Sequence, residues 1–235
     1  MKILDSIPVR LDVEEILKHW HLHKESKHIE SSLQEVIEIV RPIAKPKAVY
    51  KVSYVDNKNA DSLYIDGVRF TSRVLRVNLD KIERVFPYVV TCGGELDEIA
   101  IPPDDFMKYY CLDAIKETVL VSARRYLEDY LKGNYALGQM SRMGPGTGAL
   151  GDWPITQQKG LFSIFGNVED LIGVKLTENF LMIPIKSVSG IYFPTQIEFR
   201  SCQLCPRESC SERRAPYDPD LVKKYTNLYY QSPQS

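Results

Sequence analysis

Ile172-Gly173-Val174-Lys175-Leu176-Thr177-Glu178-Asn179-Phe180-Leu181-Met182-Ile183-Pro184-Ile185-Lys186-Ser187-Val188-Ser189-Gly190-Ile191-Tyr192-Phe193 is the stretch that decides the fold of this 235-residue chain. Its apolar runs predict two strands, Phe180 to Ile183 and Ser187 to Phe193, closing as a core hairpin. Just upstream, Ile155 to Phe165 reads as an apolar helix, and Ala136 to Gly151, rich in glycine, reads as a loop. Before that loop, Pro102-Pro103-Asp104 opens a long helix in which Leu112, Ile115, Val119, Ala123 and Leu127 recur at helical spacing, with a stop expected at Gly133-Asn134.

Further out, the pattern changes to alternation. Tyr88 to Thr91 is a strand candidate, Leu63 to Phe70 alternates around an Asp66-Gly67 turn, and in Ala48 to Val55 the residues Tyr50, Val52 and Tyr54 alternate with Lys51 and Ser53. At the N-terminus, Asp12 with Glu15 three residues on is a capping-box pattern, and Ile29, Leu33, Val36, Ile37 and Val40 mark a second helix that Pro42 closes. Strands and helices in this order, without regular βαβ alternation, predict an α+β fold: a single domain with a twisted antiparallel sheet and flanking helices. The expected organisation is an N-terminal helical segment over residues 1–47 packed on the main domain, an α+β core over 48–199, and a cysteine-containing tail over 200–235.

Composition narrows the function. The chain carries 30 Lys plus Arg against 31 Asp plus Glu, a net charge of -1 that gives no footprint for nucleic acid. No apolar run approaches the roughly 20 residues that span a bilayer, and Met1-Lys2-Ile3-Leu4-Asp5 lacks the features of a signal peptide, so a cytoplasmic protein without membrane association is expected. All four histidines, His19, His21, His23 and His28, lie near the N-terminus, where a helix would scatter their rings. The main body therefore has no histidine for a Ser-His-Asp or Cys-His apparatus.

The segment Ser141-Arg142-Met143-Gly144-Pro145-Gly146-Thr147-Gly148-Ala149-Leu150-Gly151-Asp152-Trp153-Pro154 holds four glycines in eight residues. Such a loop lets a ligand approach bare backbone, whose N–H groups can form an anion-binding nest. Arg142 beside it offers a planar fork suited to a carboxylate. No Gly-Lys-Ser/Thr follows, so it is not a P-loop, and it lacks the strand and spacing of a dinucleotide fingerprint. By composition alone a flexible surface loop is the favoured reading.

Taken together, Arg142 to Phe193 resembles the activation domain of cobalamin-dependent methionine synthase. That family carries an arginine, a Pro/Gly-rich turn, a helix, an Ile-Gly-x-x-Leu-Thr-Glu segment and an apolar-Pro-x-x-Ser-Val-Ser-Gly segment in this order, found here as Ile172 to Glu178 and Ile183 to Gly190. Phe86-Pro87-Tyr88-Val89-Val90-Thr91-Cys92-Gly93 is similar to small, single-domain relatives of the family. The resemblance implies a module that binds S-adenosylmethionine and supports reductive methylation of cobalamin or another corrinoid held by a partner methyltransferase protein, with a low-potential electron donor. It implies that Arg142 pairs with the methionyl carboxylate and that Gly144 and Gly146 bring backbone to the adenosine portion. Thr147 stands where the full-length enzymes have tyrosine, Gly148-Ala149-Leu150 look inserted, and the family's helical glutamate is approximated by Glu117, an ungapped match selecting Val121. Glu117, or the aromatic faces of Trp153 or Tyr135, would then stabilise the sulfonium. The alternative on the same fold is a non-catalytic corrinoid-protein interaction module or ligand sensor.

The tail adds Cys202-x2-Cys205-x4-Cys210, three thiols within nine residues. That spacing suits either ordinary thiols or ligation of zinc or an iron–sulfur cluster, with Cys92 or Cys111 as a fourth ligand. A cluster would give the chain its own electron relay.

Overall fold

The computed structural model describes residues 1–20, 27–147, 153–196, 199–210 and 213–227. In chain order the elements are β1 (Lys2–Leu4), α1 (Val13–His19), α2 (Lys27–Val40), β2 (Lys47–Tyr50), β3 (Ser53–Lys58), β4 (Ser62–Ile65), β5 (Val68–Thr71), α3 (Arg73–Asn78), β6 (Arg84–Thr91), α4 (Phe106–Tyr135), β7 (Met140–Met143), α5 (Gln158–Ser163), α6 (Val168–Ile172), β8 (Lys175–Leu176), β9 (Met182–Ile183), β10 (Ser187–Pro194) and α7 (Pro219–Asn227). Eight of the strands form one sheet, antiparallel at every pairing, and β8 with β9 makes a separate two-stranded ribbon.

β6 is the spine. One of its edges pairs with β10, which in turn pairs with β7, and the other pairs first with β2 and then with β3. The single strand expected over Ala48 to Val55 is split in two because Pro87 lies opposite the break. The Lys51 amide donates to the Pro87 carbonyl at 3.1 Å, but proline has no N–H to return, and the ladder lapses at Lys51 and Val52. The β4–β5 hairpin turns at Asp66 (φ 49°) and Gly67 (φ 77°), two successive left-handed residues as a type I′ turn requires.

Side chains alternate across the sheet into two cores. Phe86, Tyr88 and Val90 of β6 pack with Leu33, Ile37, Ile115, Val119 and Leu127 beneath α1, α2 and α4. Val85 and Val89 face the other way, against Leu75, Trp153, Leu161, Phe162 and Tyr225 from α3, the Trp153 region, α5 and α7. The N-terminal segment is more than helical, since Lys2-Ile3-Leu4 extends the sheet by pairing with β2. α1 is capped by the Asp12 carboxylate, which accepts from the Glu15 amide at 2.9 Å.

α4 runs past the expected stop at Gly133-Asn134 to Tyr135, and Ala136 closes it at φ 49°. The extra turn is held by packing: Tyr135 lies 5.0 Å from the Phe86 ring and shares a 3.1 Å hydroxyl contact with Tyr50. Of the strand expected over Phe180 to Ile183, only Met182–Ile183 pairs, because Phe180 takes a left-handed φ of 62°. The expected helix over Ile155 to Phe165 is a 3-10 turn, Ile155–Gln157, followed by the short α5. Among the described residues no helix is long and apolar enough to cross a membrane.

Candidate functional site

Strand parity sets the direction of Arg142. Met140 joins the core beneath α4 and Met143 joins the opposite one, so Arg142 points to the α4 side. It stands opposite Tyr192, which stands opposite Phe86, making one row across β7, β10 and β6. The neighbouring row holds Gly190 opposite Tyr88. The Tyr88 and Tyr192 rings lie 4.5 Å apart at 30°, and the Tyr192 hydroxyl donates to the Arg124 carbonyl of α4 at 3.5 Å.

Arg142 is half-buried on this side of the sheet, with Tyr88 and Tyr192 as the neighbours that act most on its charge. Burial works against its charge, but the neighbouring Tyr88 and Tyr192 and the Glu128 carboxylate outweigh it, and its pKa lies above the ordinary guanidinium value. Burial, and then the neighbouring Tyr88, push the Tyr192 phenol well above its usual range. Among the described residues Arg142 makes no ion pair, so a partly desolvated cation stands beside two tyrosines without a carboxylate in contact.

The turn that follows is built from its residue types. Gly144-Pro145-Gly146-Thr147 closes with the Thr147 amide donating to the Gly144 carbonyl at 3.2 Å, and Gly146 supplies φ 78° at the third position, the pattern of a type II turn with Pro second. Gly144 is required for a second reason: a Cβ there would meet the Ser189 carbonyl oxygen at 2.5 Å, so only a bare backbone lets the chain leave β7 this close to β10. The backbone amides expected to form an anion nest are already engaged. The Gly144 N–H faces the Thr147 hydroxyl at 3.3 Å, and the Gly146 N–H donates to the Trp153 carbonyl at 2.8 Å. The Thr147 hydroxyl donates back to the Gly144 carbonyl at 2.6 Å. In this conformation the turn offers a ligand carbonyls, not an N–H nest. Gly148 to Asp152 lie outside the described residues.

The other expected contacts are dispersed. Glu117 pairs with Lys186 at 3.4 Å, and Lys186 also holds Asp113 at 3.0 Å. Lys186 precedes β10, whereas Arg142 pairs with Tyr192, about 20 Å further along the strand. The α4 carboxylate whose field reaches Arg142 is Glu128, about three helical turns beyond Glu117 and paired with Lys132 at 2.7 Å. Val121 is a half-buried residue of α4. Trp153 is buried in the opposite core, its ring edge-on to Phe70 at 5.6 Å and its Nε1–H donating to Gln157 at 3.2 Å, so it presents no face to Arg142. Tyr135 is on the Arg142 side but packs against Phe86 and Tyr50. Sequence reading missed Tyr88, Tyr192 and Glu128 as neighbours of Arg142; the signal was the parity that Tyr88 and Tyr192 share with Arg142 across three strands.

In the tail, Cys202, Cys205 and Cys210 are half-buried around Arg213, whose guanidinium donates to the carbonyls of Cys202, Cys205, Arg207 and Ala215, while its amide donates to the Cys210 carbonyl. Among the described residues no group of three or more His, Cys, Asp or Glu side chains is placed to hold a metal ion. Cys92 and Cys111 are on the wrong side of the sheet for a fourth ligand: both lie in the α4-side core, the tail docks on the other, and burial pushes the Cys92 thiol up to about 12. Among the described residues these cysteines are therefore not gathered into a zinc or iron–sulfur site. His28 is exposed on α2, and His21 and His23 lie outside the described residues.

No curated protein matches the chain in sequence. Among solved structures, one described as the crystal structure of the MetH reactivation domain bound to AdoHcy aligns over 86% of this chain and 81% of its own, at 17% identity and a TM-score of 0.53, which places both in one fold. Residues 120–201 match the family described as vitamin B12 dependent methionine synthase, activation domain. That span takes in the second half of α4, Arg142, the Gly144 to Thr147 turn and β10, but not Tyr88 of β6.

Proposed function

We propose that this chain binds S-adenosylmethionine in the Arg142 recess and supports reductive methylation of a corrinoid carried by a partner methyltransferase protein. The observation that carries the reading is the half-buried guanidinium without an ion pair among the described residues, inside the span that matches the activation domain family. The AdoHcy of the structurally similar reactivation domain, the product left when S-adenosylmethionine loses its methyl group, supports the same ligand class.

In this reading Arg142 takes the methionyl carboxylate through its two-pronged donor face. Glu128, across the recess on α4, takes the α-ammonium in place of Glu117. The carbonyls of the Gly144 to Thr147 turn receive the adenosine amino group. Methyl transfer from the sulfonium to reduced cobalt, supplied with electrons by a separate low-potential donor, is the chemistry of the two ligands, and the chain contributes position and exclusion of water. No residue of the recess needs to move a proton.

Titration of the purified protein with S-adenosylmethionine tests the reading. Wild type is expected to bind, and Arg142→Ala to bind on the order of 30-fold more weakly, about 2 kcal/mol, with little change in stability. Arg142→Lys recovers little, because an ammonium keeps the charge and loses the fork. Equal affinity in all three proteins, or no binding by wild type at millimolar ligand, would sink the assignment.

A further inference from the structure

We propose that Cys202 and Cys205 are a redox-active dithiol, a site that exchanges with low-molecular-weight disulfides and closes as an intramolecular disulfide within one turn of the tail. It does not rest on the reading of Arg142. The turn is the 3-10 segment Ser201–Leu204, closed by a bond from the Cys205 amide to the Cys202 carbonyl at 3.2 Å. Three residues at a rise of about 2 Å each set the two Cα atoms roughly 6 Å apart, with the side chains eclipsed on one edge of the turn. That separation is inside the range of about 4.4 to 6.8 Å that a disulfide spans. Both cysteines are free thiols and only half-buried, so a reagent in solution reaches them, whereas Cys92 and Cys111 are fully buried in the α4-side core.

The turn is held from several sides. The Gln203 amide donates to the Arg200 carbonyl and the Gln203 side chain accepts from the Arg200 amide, both at 2.8 Å, while the Gln203 carbonyl accepts from the Asp218 amide at 2.8 Å. Leu204, between the two cysteines, is buried in the core beneath β7. The Arg213 guanidinium donates to the Cys202 and Cys205 carbonyls, each at 3.2 Å. A backbone tied at these points keeps one sulfur within reach of a mixed disulfide formed on the other, at a high effective concentration. In the exchange, the thiolate of one cysteine attacks a disulfide such as oxidised glutathione, whose S–S bond breaks and releases one thiol. The sulfur of the other cysteine then attacks the protein sulfur of the mixed disulfide, the bond between Cys202 and Cys205 forms, and the second thiol leaves. The pair gives up two electrons and two protons, which end in two molecules of reduced thiol.

Trypsin leaves both cysteines on one peptide, Ser201 to Arg207, and puts Cys210 on the next. Wild type treated with oxidised glutathione and then alkylated is expected to yield the first peptide unalkylated and lighter by two hydrogens. Cys202→Ser and Cys205→Ser are expected to stop at the mixed disulfide, and Cys210→Ser to behave as wild type. A mixed disulfide that persists on wild type, or a bridge from either cysteine to Cys210, overturns the assignment. The part played by the turn is read from the same equilibrium in glutathione redox buffers, with the protein folded and with it unfolded in concentrated urea. Folded protein is expected to favour the internal disulfide by roughly tenfold in equilibrium constant. Equal constants, or a preference in the unfolded chain, would mean that the turn contributes nothing beyond the spacing of the two cysteines, and the proposal falls.

Discussion

In the proposed function Arg142 of β7 and Glu128 of α4, whose carboxylate contributes to the charge balance at Arg142, take opposite ends of an amino acid. Glu128→Gln keeps the shape of the side chain and removes the charge, so S-adenosylmethionine affinity is expected to fall about tenfold in calorimetry. Glu117→Gln, whose partner Lys186 is at the far end of β10, is expected to leave affinity within about twofold. The opposite ranking would return the ligand glutamate to Glu117. Arg142 stands out in the sequence because an arginine two residues ahead of Gly-Pro-Gly is a local pattern. Tyr88 and Glu128 do not, because their place beside Arg142 depends on register between strands and on helix phase, both long-range properties.

At the scale of elements, the Asp66-Gly67 turn was readable from two residues, and its chemistry goes further. The Asp66 carboxylate accepts from the Ser53 hydroxyl at 2.8 Å and the Tyr54 amide at 3.2 Å, and pairs with Lys51 at 2.8 Å. Burial alone would raise its pKa; the Lys51, Ser53 and Tyr54 contacts outweigh it and the net direction is down. A depressed folded-state pKa contributes stability that is present above the unfolded value and lost as pH falls through the folded one. Wild type is therefore expected to exceed Asp66→Asn by on the order of 1 kcal/mol near neutrality, with the difference shrinking below about pH 4 in urea titrations. Asparagine tolerates the same left-handed φ, so the comparison isolates the charge. A gap that stays constant with pH would refute this account. Elsewhere, single residues moved the boundaries: Pro87 cut one strand in two from across the ladder, and Tyr135 drew α4 past a Gly-Asn stop by docking on Phe86. Neither effect is written in the segment it changes.

For the whole molecule, the α+β class and the antiparallel sheet follow from alternation and helical spacing in the sequence, whereas the tail does not announce its role. Polar over most of its length, it carries Leu204 and Tyr225, together with Phe199 just before it, into the core beneath β7. The Phe199 amide donates to the Ser141 hydroxyl at 2.9 Å, next to Arg142, and the Tyr225 hydroxyl donates to Asn78 at 2.8 Å. Three scattered apolar side chains are too few to show as a period, yet they cover one side of the strand that bears the site. Tyr225→Ala is expected to cost about 3 kcal/mol and Tyr225→Phe about 1 kcal/mol, measured by urea unfolding. A loss below about 0.5 kcal/mol for the alanine variant would mean that the tail is not part of the cooperative unit. The 2.8 Å bond from the Gly146 amide to the Trp153 carbonyl has a consequence of another kind. The chain leaves the turn and returns to the same point, with Trp153 anchored in one core and Arg142 aimed at the other, so the excursion between them is closed at its neck. Its length and composition are then free to vary between homologues, or in a designed library, without displacing either anchor, which makes this neck the natural place to graft new recognition onto the fold.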